Sequence, residues 1–398
     1  WEGMWTRGAE FLGGALALCL SPMVADASSP EAPGTAWTTA VGGIKDETAG
    51  DCLLRDDGLL LVCGTTLSYS TGDSDGLVVL LDPLSGEVEW ERPYGGRQDE
   101  ELLGLAPAPD GGYYAVGSVR TAGSGTDLWV LRCGADGELL WQRSYGGDLN
   151  DAAVSAAPTV DGAVVACGST WSSGAGGSDG WAVMVNAEGE VEWARTYGGP
   201  EMERLFDVAA LNGGFVATGT TYSEGSHGDV LTVWIDRQGL ETARMVWGCP
   251  GYDYGRAVLP LPDGVAVACW SKRSACNVAL LRADSTGSLL GHWVIPTGYN
   301  TRVETLLPAA GGFLAGGTAE TGGGSDLEVF VWLVSPGGER VWELVRGGTG
   351  DEELASMVLA ADGGPVLVGT TTSTEGGDAD IWLLGLERLQ EGVIADDG

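Results

Sequence analysis

Histidine and lysine are almost missing from the 398-residue chain: His227, His292, Lys45 and Lys272 are the only examples. Two histidines cannot supply the usual ligands of a zinc centre, and they leave little room for a Ser-His-Asp triad. His292 stands beside Trp293 in a strand-like segment and reads as structural. His227 lies in Gly225-Ser226-His227-Gly228-Asp229, where serine and aspartate are its sequence neighbours, an arrangement that seldom gives triad geometry. Cations are scarce as a class, with 20 Lys+Arg against 56 Asp+Glu and a formal net charge of -36. Binding to a DNA or RNA backbone depends on clustered cations that release counterions, so nucleic acid is excluded as a partner. Helical periodicity is also lacking. Apart from Phe11 to Leu20, no apolar run approaches the length of a membrane helix, and no integral membrane segment is expected in the mature chain.

Glycine, with 67 residues, and tryptophan, with 16, are plentiful in a chain that is 44% hydrophobic. That apolar content supports a sizeable core despite the acidity. Met4-Trp5-Thr6-Arg7, the apolar run Phe11 to Leu20 and Ala25-Asp26-Ala27 together have the layout of a secretory signal peptide. The reading is therefore residues 1–27 as signal peptide and upstream residues, 28–35 as linker, 36–387 as the folded domain and 388–398 as an acidic tail. Export to the periplasm, cell surface or exterior is expected, with cleavage near Ala27.

An internal repeat sets the architecture. A Gly-Gly or its remnant recurs at Gly42, Gly95, Gly146, Gly198, Gly248, Gly298 and Gly347, and Trp37, Trp90, Trp141, Trp193, Trp293 and Trp342 each precede one of them by five residues. The spacing of 49 to 53 residues falls in the range of propeller blades. Each unit holds four short apolar runs punctuated by Gly and Asp turns, here named strands A to D. In the second unit these are Glu101–Ala106, Tyr113–Val119, Asp127–Cys133 and Glu138–Tyr145. The seventh unit stops after its third strand, while Trp37 to Val41 read as a strand D with nothing before it. The expectation is an all-β, seven-bladed β-propeller of four-stranded antiparallel blades, a monomer whose last blade is closed by the N-terminal strand.

The motif Asp136-Gly137-Glu138-Leu139-Leu140-Trp141, its counterpart Glu188 to Trp193, the related Ser85 to Trp90, and Tyr-Gly-Gly at 94–96, 145–147 and 197–199 resemble the PQQ-like (quinoprotein-like) β-propeller repeat family. The resemblance covers residues 36–387 and implies the fold. Quinoprotein dehydrogenases of that kind place adjacent cysteines over the cofactor, and this chain has no Cys-Cys pair. PQQ is therefore not expected, and the family's catalytic residues have no counterpart here.

Two families of acids recur on the face formed by the D-to-A and B-to-C loops. One comprises Asp46, Asp99, Asp151, Glu203, Asp253 and Asp351; the other comprises Asp75, Asp127, Asp179, Asp229, Asp326 and Asp380. They read either as turn caps or as hard-cation ligands, with Ca²⁺ the natural ion and Asp73 and Asp75 in Gly72-Asp73-Ser74-Asp75-Gly76 the best local case. The recurring tryptophans read as fillers between blades, whereas Trp171, in a B-to-C loop, is a candidate contact residue. Cys63, Cys167 and Cys269 read as core residues, and Cys249 with Cys276 as a disulfide candidate. The fifth unit departs most from the pattern. Tyr252, Asp253, Tyr254, Lys272, Arg273, Tyr299, Asn300 and Arg302 form a basic and aromatic patch there, with the composition of a binding surface. The functional reading is an exported binding or scaffold module contacting a protein or glycan through the loops of one face. The alternative is an enzyme on the same scaffold, a quinone-type oxidoreductase or a polysaccharide-active hydrolase or lyase.

Overall fold

The computed structural model describes residues 32–70, 73–121, 125–225, 227–272, 277–297, 300–320, 326–374 and 378–389. The proposed signal peptide lies outside the described residues, as do Arg273, Cys276, Tyr299 and most of the acidic tail. The described chain forms seven four-stranded antiparallel sheets, each a meander in the order A-B-C-D. Blade 1 comprises Glu47–Leu54, Leu60–Thr66, Asp75–Leu81 and Val88–Tyr94. Blade 7 takes strands A to C from Glu352–Leu359, Pro365–Thr371 and Asp380–Leu386, and its strand D is Thr35–Val41, paired antiparallel with Asp380–Leu386. Ring closure by the N-terminal strand is thus as the repeat count requires. The second blade runs Glu100–Pro107, Tyr113–Arg120, Thr126–Cys133 and Leu139–Tyr145, within a residue of each expected boundary.

Period-2 alternation is weak in strands B and C because both of their faces are covered. Leu60–Thr66 and Asp75–Leu81 are buried almost end to end. One apolar cluster fills each of the seven interfaces between neighbouring blades. The strand-D tryptophans serve these interfaces. Trp37, Trp141 and Trp193 donate their indole N–H to the carbonyls of Pro83, Ala187 and Arg237, which lie in the C-to-D turn of the following blade, at 3.1, 2.8 and 3.0 Å. The tyrosine of each Tyr-Gly-Gly does likewise: Tyr94, Tyr145 and Tyr197 donate to Gly137, Gly189 and Gly239 at 2.6, 2.8 and 2.9 Å. Recurrence of these aromatics thus reflects blade-to-blade packing.

The pairing register corrects part of the sequence alignment. Ile295 pairs with Val278 as Tyr94 pairs with Gly76, so Pro296-Thr297 occupies the Gly-Gly position that sequence spacing gave to Gly298. Trp293 is accordingly two residues out of register with Trp90; Gly291 takes the equivalent place. The recurring acid that begins strand A is Glu47, Glu100 and Glu352 rather than Asp46, Asp99 and Asp351, and the sixth-blade counterpart of Asp75 is Glu328 rather than Asp326. Neighbouring acids in Asp-Glu pairs and in Asp326-Leu327-Glu328 made the one- and two-residue shifts invisible without the ladder.

Deleting residues 36–43 leaves Asp380–Leu386 an unpaired edge and strips Val41 and Trp37 from the blade 7–1 core. The truncated chain is expected to lose its cooperative thermal transition in calorimetry. A sharp melt at the full-length temperature would contradict closure by this strand.

Candidate functional site

Every strand A carries one β-bulge at the same place. The extra residue is Gly50, Leu103, Val154, Phe206, Arg256, Glu304 and Ala355 in blades 1 to 7. A bulge re-aims a side chain and needs room on the partner strand. Strand B provides it with a glycine in six blades. A Cβ on Gly64, Gly117, Gly168, Gly219, Gly317 or Gly369 would fall between 1.8 and 2.3 Å from a strand-A carbonyl oxygen. All seven bulge residues line a single cavity of about 730 Å³ at the inner ends of the blades. Asp351 and Thr372, from the D-to-A and B-to-C loops of blade 7, also line it, so the cavity opens toward the face those loops form.

The wall is chemically lopsided. Blades 1, 2, 3 and 7 present Gly50, Leu103, Val154 and Ala355, whereas blades 4 to 6 present Phe206, Arg256 and Glu304. Arg256 donates through Nε to Glu304 Oε2 at 2.6 Å, and its guanidinium lies 4.8 Å from the Phe206 ring centroid. Arg302 stands 3.7 Å from Glu353, and both line the cavity. Tyr254 stacks on Trp270 at 4.7 Å and lies 6.3 Å from Phe206, which carries the aromatic wall upward toward the loop face.

Next to the bulges, two carboxyls that also line the cavity, Asp51 and Asp207, fasten neighbouring blades. Asp51 accepts from Leu105 N–H of blade 2 at 3.0 Å, from Ser356 Oγ of blade 7 at 2.9 Å and from Cys52 N–H at 2.7 Å. Asp207 repeats this for blades 3 to 5, accepting from Ser155 Oγ, Val258 N–H and Val208 N–H at 2.9, 2.8 and 2.8 Å. Burial pushes the Asp51 carboxyl up to about 6 against these donors, and it raises Asp207 as well.

The patch foreseen in the fifth unit is partly assembled. Arg302 lines the cavity, and Tyr254 stands next to the lining residue Phe206 and stacks on Trp270. Tyr252 is half-buried near the loop face, 6.3 Å from Tyr222 and 5.9 Å from His227. Lys272 is exposed at the end of strand B. Asn300 is exposed and donates to Glu320 Oε2 at 2.9 Å. Asp253 does not belong to a contact surface: it is 0% exposed, receives Cys249 N–H at 2.7 Å and a hydrogen bond from Ser271, and is pushed up to about 6 by burial and the nearby Asp229 charge. Trp171 is 43% exposed, and Leu149 and Met202, in the D-to-A loops that enter blades 3 and 4, are exposed as well. Asp73 and Asp75 do not converge, since Asp73 is exposed while Asp75 is 3% exposed and turned toward Gly95. Among the described residues no three His, Cys, Asp or Glu side chains gather as a metal-binding group. Cys249 is disulfide-bonded; Cys63, Cys167 and Cys269 are buried free thiols, as expected of core residues.

No protein-family model and no curated protein matches the chain. Solved structures do. The chain is similar to the WD40 β-propeller domain of Doa1, with a TM-score of 0.55, 10% identity, and coverage of 92% of this chain and 100% of that one. It is also similar to the phage phi92 endosialidase, with a TM-score of 0.51, 9% identity, and coverage of 91% and 70%. These likenesses establish the β-propeller fold and nothing of the activity. A quinohemoprotein alcohol dehydrogenase from Pseudomonas putida HK5 matches at 13% identity over 92% of this chain and 78% of that one, with a TM-score of 0.46, a likeness too slight to bear on chemistry.

The bulge column was missed in the sequence, although it lies three residues after the strand-A acid in six blades and three after Thr301 in the sixth. Its signal was disparity: Gly, Leu, Val, Phe, Arg, Glu and Ala occupy one position of an otherwise repetitive unit.

Because the folded state holds the Asp51 proton more tightly than an unfolded chain, Asp51 ionises at a cost that grows from about pH 4 to about pH 6. Stability should fall over that window by on the order of 3 kcal/mol from this group. In urea melts, Asp51→Asn should lose that part of the pH slope, and be weaker at pH 4 by about 1–3 kcal/mol for donors left without an acceptor. An unchanged slope would assign the titration elsewhere.

Proposed function

We propose that this protein is an exported binding module, a β-propeller that takes a protein segment or glycan into the mouth of its central cavity. The observation that carries the reading is the ring of seven bulge residues lining one cavity, with the charged and aromatic members concentrated on blades 4 to 6. A repeat that spends six strand-B glycines on holding the same bulge, yet varies the side chain it presents, behaves as a scaffold with interchangeable lining. The Arg256–Glu304 pair offers a donor fork and an acceptor at fixed separation, and Phe206 with Tyr254 offers flat apolar surface, the mixture that recognises hydroxyl-bearing or amide-bearing ligands. The exposed Trp171, Leu149 and Met202 extend the contact surface over blades 3 and 4. The signal-peptide pattern at the N-terminus supports export.

The test is a glycan array and a pull-down, run with the wild type and with Phe206→Ala, Arg256→Ala and a Lys272→Glu control. Any ligand found should weaken at least tenfold on Phe206→Ala or Arg256→Ala, with circular dichroism unchanged. Full retention by both cavity variants, with loss on Lys272→Glu, would move the site out of the cavity and onto the fifth-blade loops.

A further inference from the structure

We propose that Asp127 of blade 2 and Asp151 of blade 3 form a divalent-cation site at the blade interface, with Ca²⁺ the ion that fits it. The two carboxylates flank one glycine: a Cβ on Gly146 would lie 2.4 Å from Asp127 Oδ1 and 2.8 Å from Asp151 Oδ2. Asp151 is 1% exposed. Its Oδ2 accepts from Gly147 N–H at 2.8 Å and from Ser172 Oγ at 2.7 Å, while its Oδ1 is buried and has no hydrogen-bond partner. Asp127 Oδ1 is likewise buried and unpartnered. A buried carboxylate beside a half-buried one, each with an orphan oxygen, is costly unless a positive charge is placed between them. Among the described residues no Lys or Arg is ion-paired with either acid.

The coordination chemistry favours Ca²⁺. Two carboxylates supply up to four oxygens, and Asp127 keeps one side toward solvent, so water can complete a shell of six to eight oxygens. Mg²⁺ demands a stricter octahedron, which an interface between two separately folded sheets is less suited to impose. A related acid pair stands one interface earlier, where Glu100, 5% exposed, lies beside Asp75, whose Oδ1 packs against Gly95.

The repeat contains its own control. At the blade 5–6 interface the strand-C acid is replaced by Asn277, the strand-A acid by Thr301 and the glycine by Pro296. All three change together. A structural turn cap would let each acid vary alone, whereas a shared cation ties both acids and the glycine that gives them room to one another.

Calorimetric titration of chelator-treated full-length protein with CaCl₂ at pH 7.5, with thermal melts in Ca²⁺ and in EDTA, tests the site. Binding heat and a melting temperature several degrees higher in Ca²⁺ are expected. Asp127→Asn/Asp151→Thr, which copies the blade 5–6 interface, should keep its circular dichroism and bind at least one fewer Ca²⁺ per chain; Asp127→Asn alone, at the more exposed partner, should show the same loss. The proposal is overturned if Ca²⁺ gives neither heat nor a melting shift, or if both variants retain the wild-type stoichiometry. A melting temperature that rises on acidification but not with Ca²⁺ would also overturn it, and would assign a shared proton to the pair.

Discussion

Pairing of Thr35–Val41 with Asp380–Leu386 joins the two ends of the described chain, and the closed ring is conditional on it. A blade is a small sheet with both faces apolar, and it cannot bury them alone. Six interfaces form between sequence neighbours, but the seventh, between blades 7 and 1, exists only when the chain has come full circle. Closure therefore brings two gains at once, a hydrogen-bonded ladder and an apolar cluster containing Val41, Leu77, Val366 and Ile381. Against them stands the entropy of closing the largest loop in the molecule, which grows only logarithmically with length. That weak dependence is why a ring of this size can be held shut by one strand.

Inside the ring, the cavity follows from a local defect repeated seven times. A regular strand A would alternate its side chains between the two neighbouring blades and leave few to point inward. The bulge breaks that alternation, and its acceptance depends on the strand-B glycine whose missing Cβ would collide with the facing carbonyl. Blade 5 is the exception, with Cys269 at the glycine position, and its bulge residue is Arg256. Asp51 and Asp207 then take up the N–H groups and hydroxyls that the bulges turn aside, each tying its own blade to both neighbours. The fasteners stand next to the bulge and share the cavity wall with the variable side chain, so the same strand segment both holds the ring and lines it.

The seven-bladed ring and its closure were legible because they rest on period and count, which survive local error. Trp37, Trp141 and Trp193 were also read correctly as interface residues, since seven similar interfaces call for similar fillers. What failed was registration at single-residue precision. Asp46-Glu47, Asp99-Glu100 and Asp351-Glu352 each offer two acids, and only the ladder shows that the second is the buried one. The fifth-unit patch was found by its departure from the repeat, yet Asp253 within it conforms to the repeat and is structural. Disparity at one column, rather than disorder of one unit, is the sharper sign of a lining position, and it required the bulge to be seen.

The acidity of the chain divides along the same line. Most carboxylates are exposed on loops and turns, where water solvates them and mutual repulsion is screened within about a Debye length. A smaller set is buried in pairs where blades meet, and there neither water nor salt relieves the charge. Glu100, pushed up to about 7 by burial and then by Asp75, shows how such a pair responds when nothing else neutralises it. The Gly-Gly that first marked the repeat is the steric condition for these pairs, because any side chain at Gly42, Gly95, Gly146, Gly198 or Gly248 would strike a carboxylate. Glycine and acids thus occur together at six interfaces, and at the one where Asn277 and Thr301 replace the acids, Pro296 stands in the glycine's place.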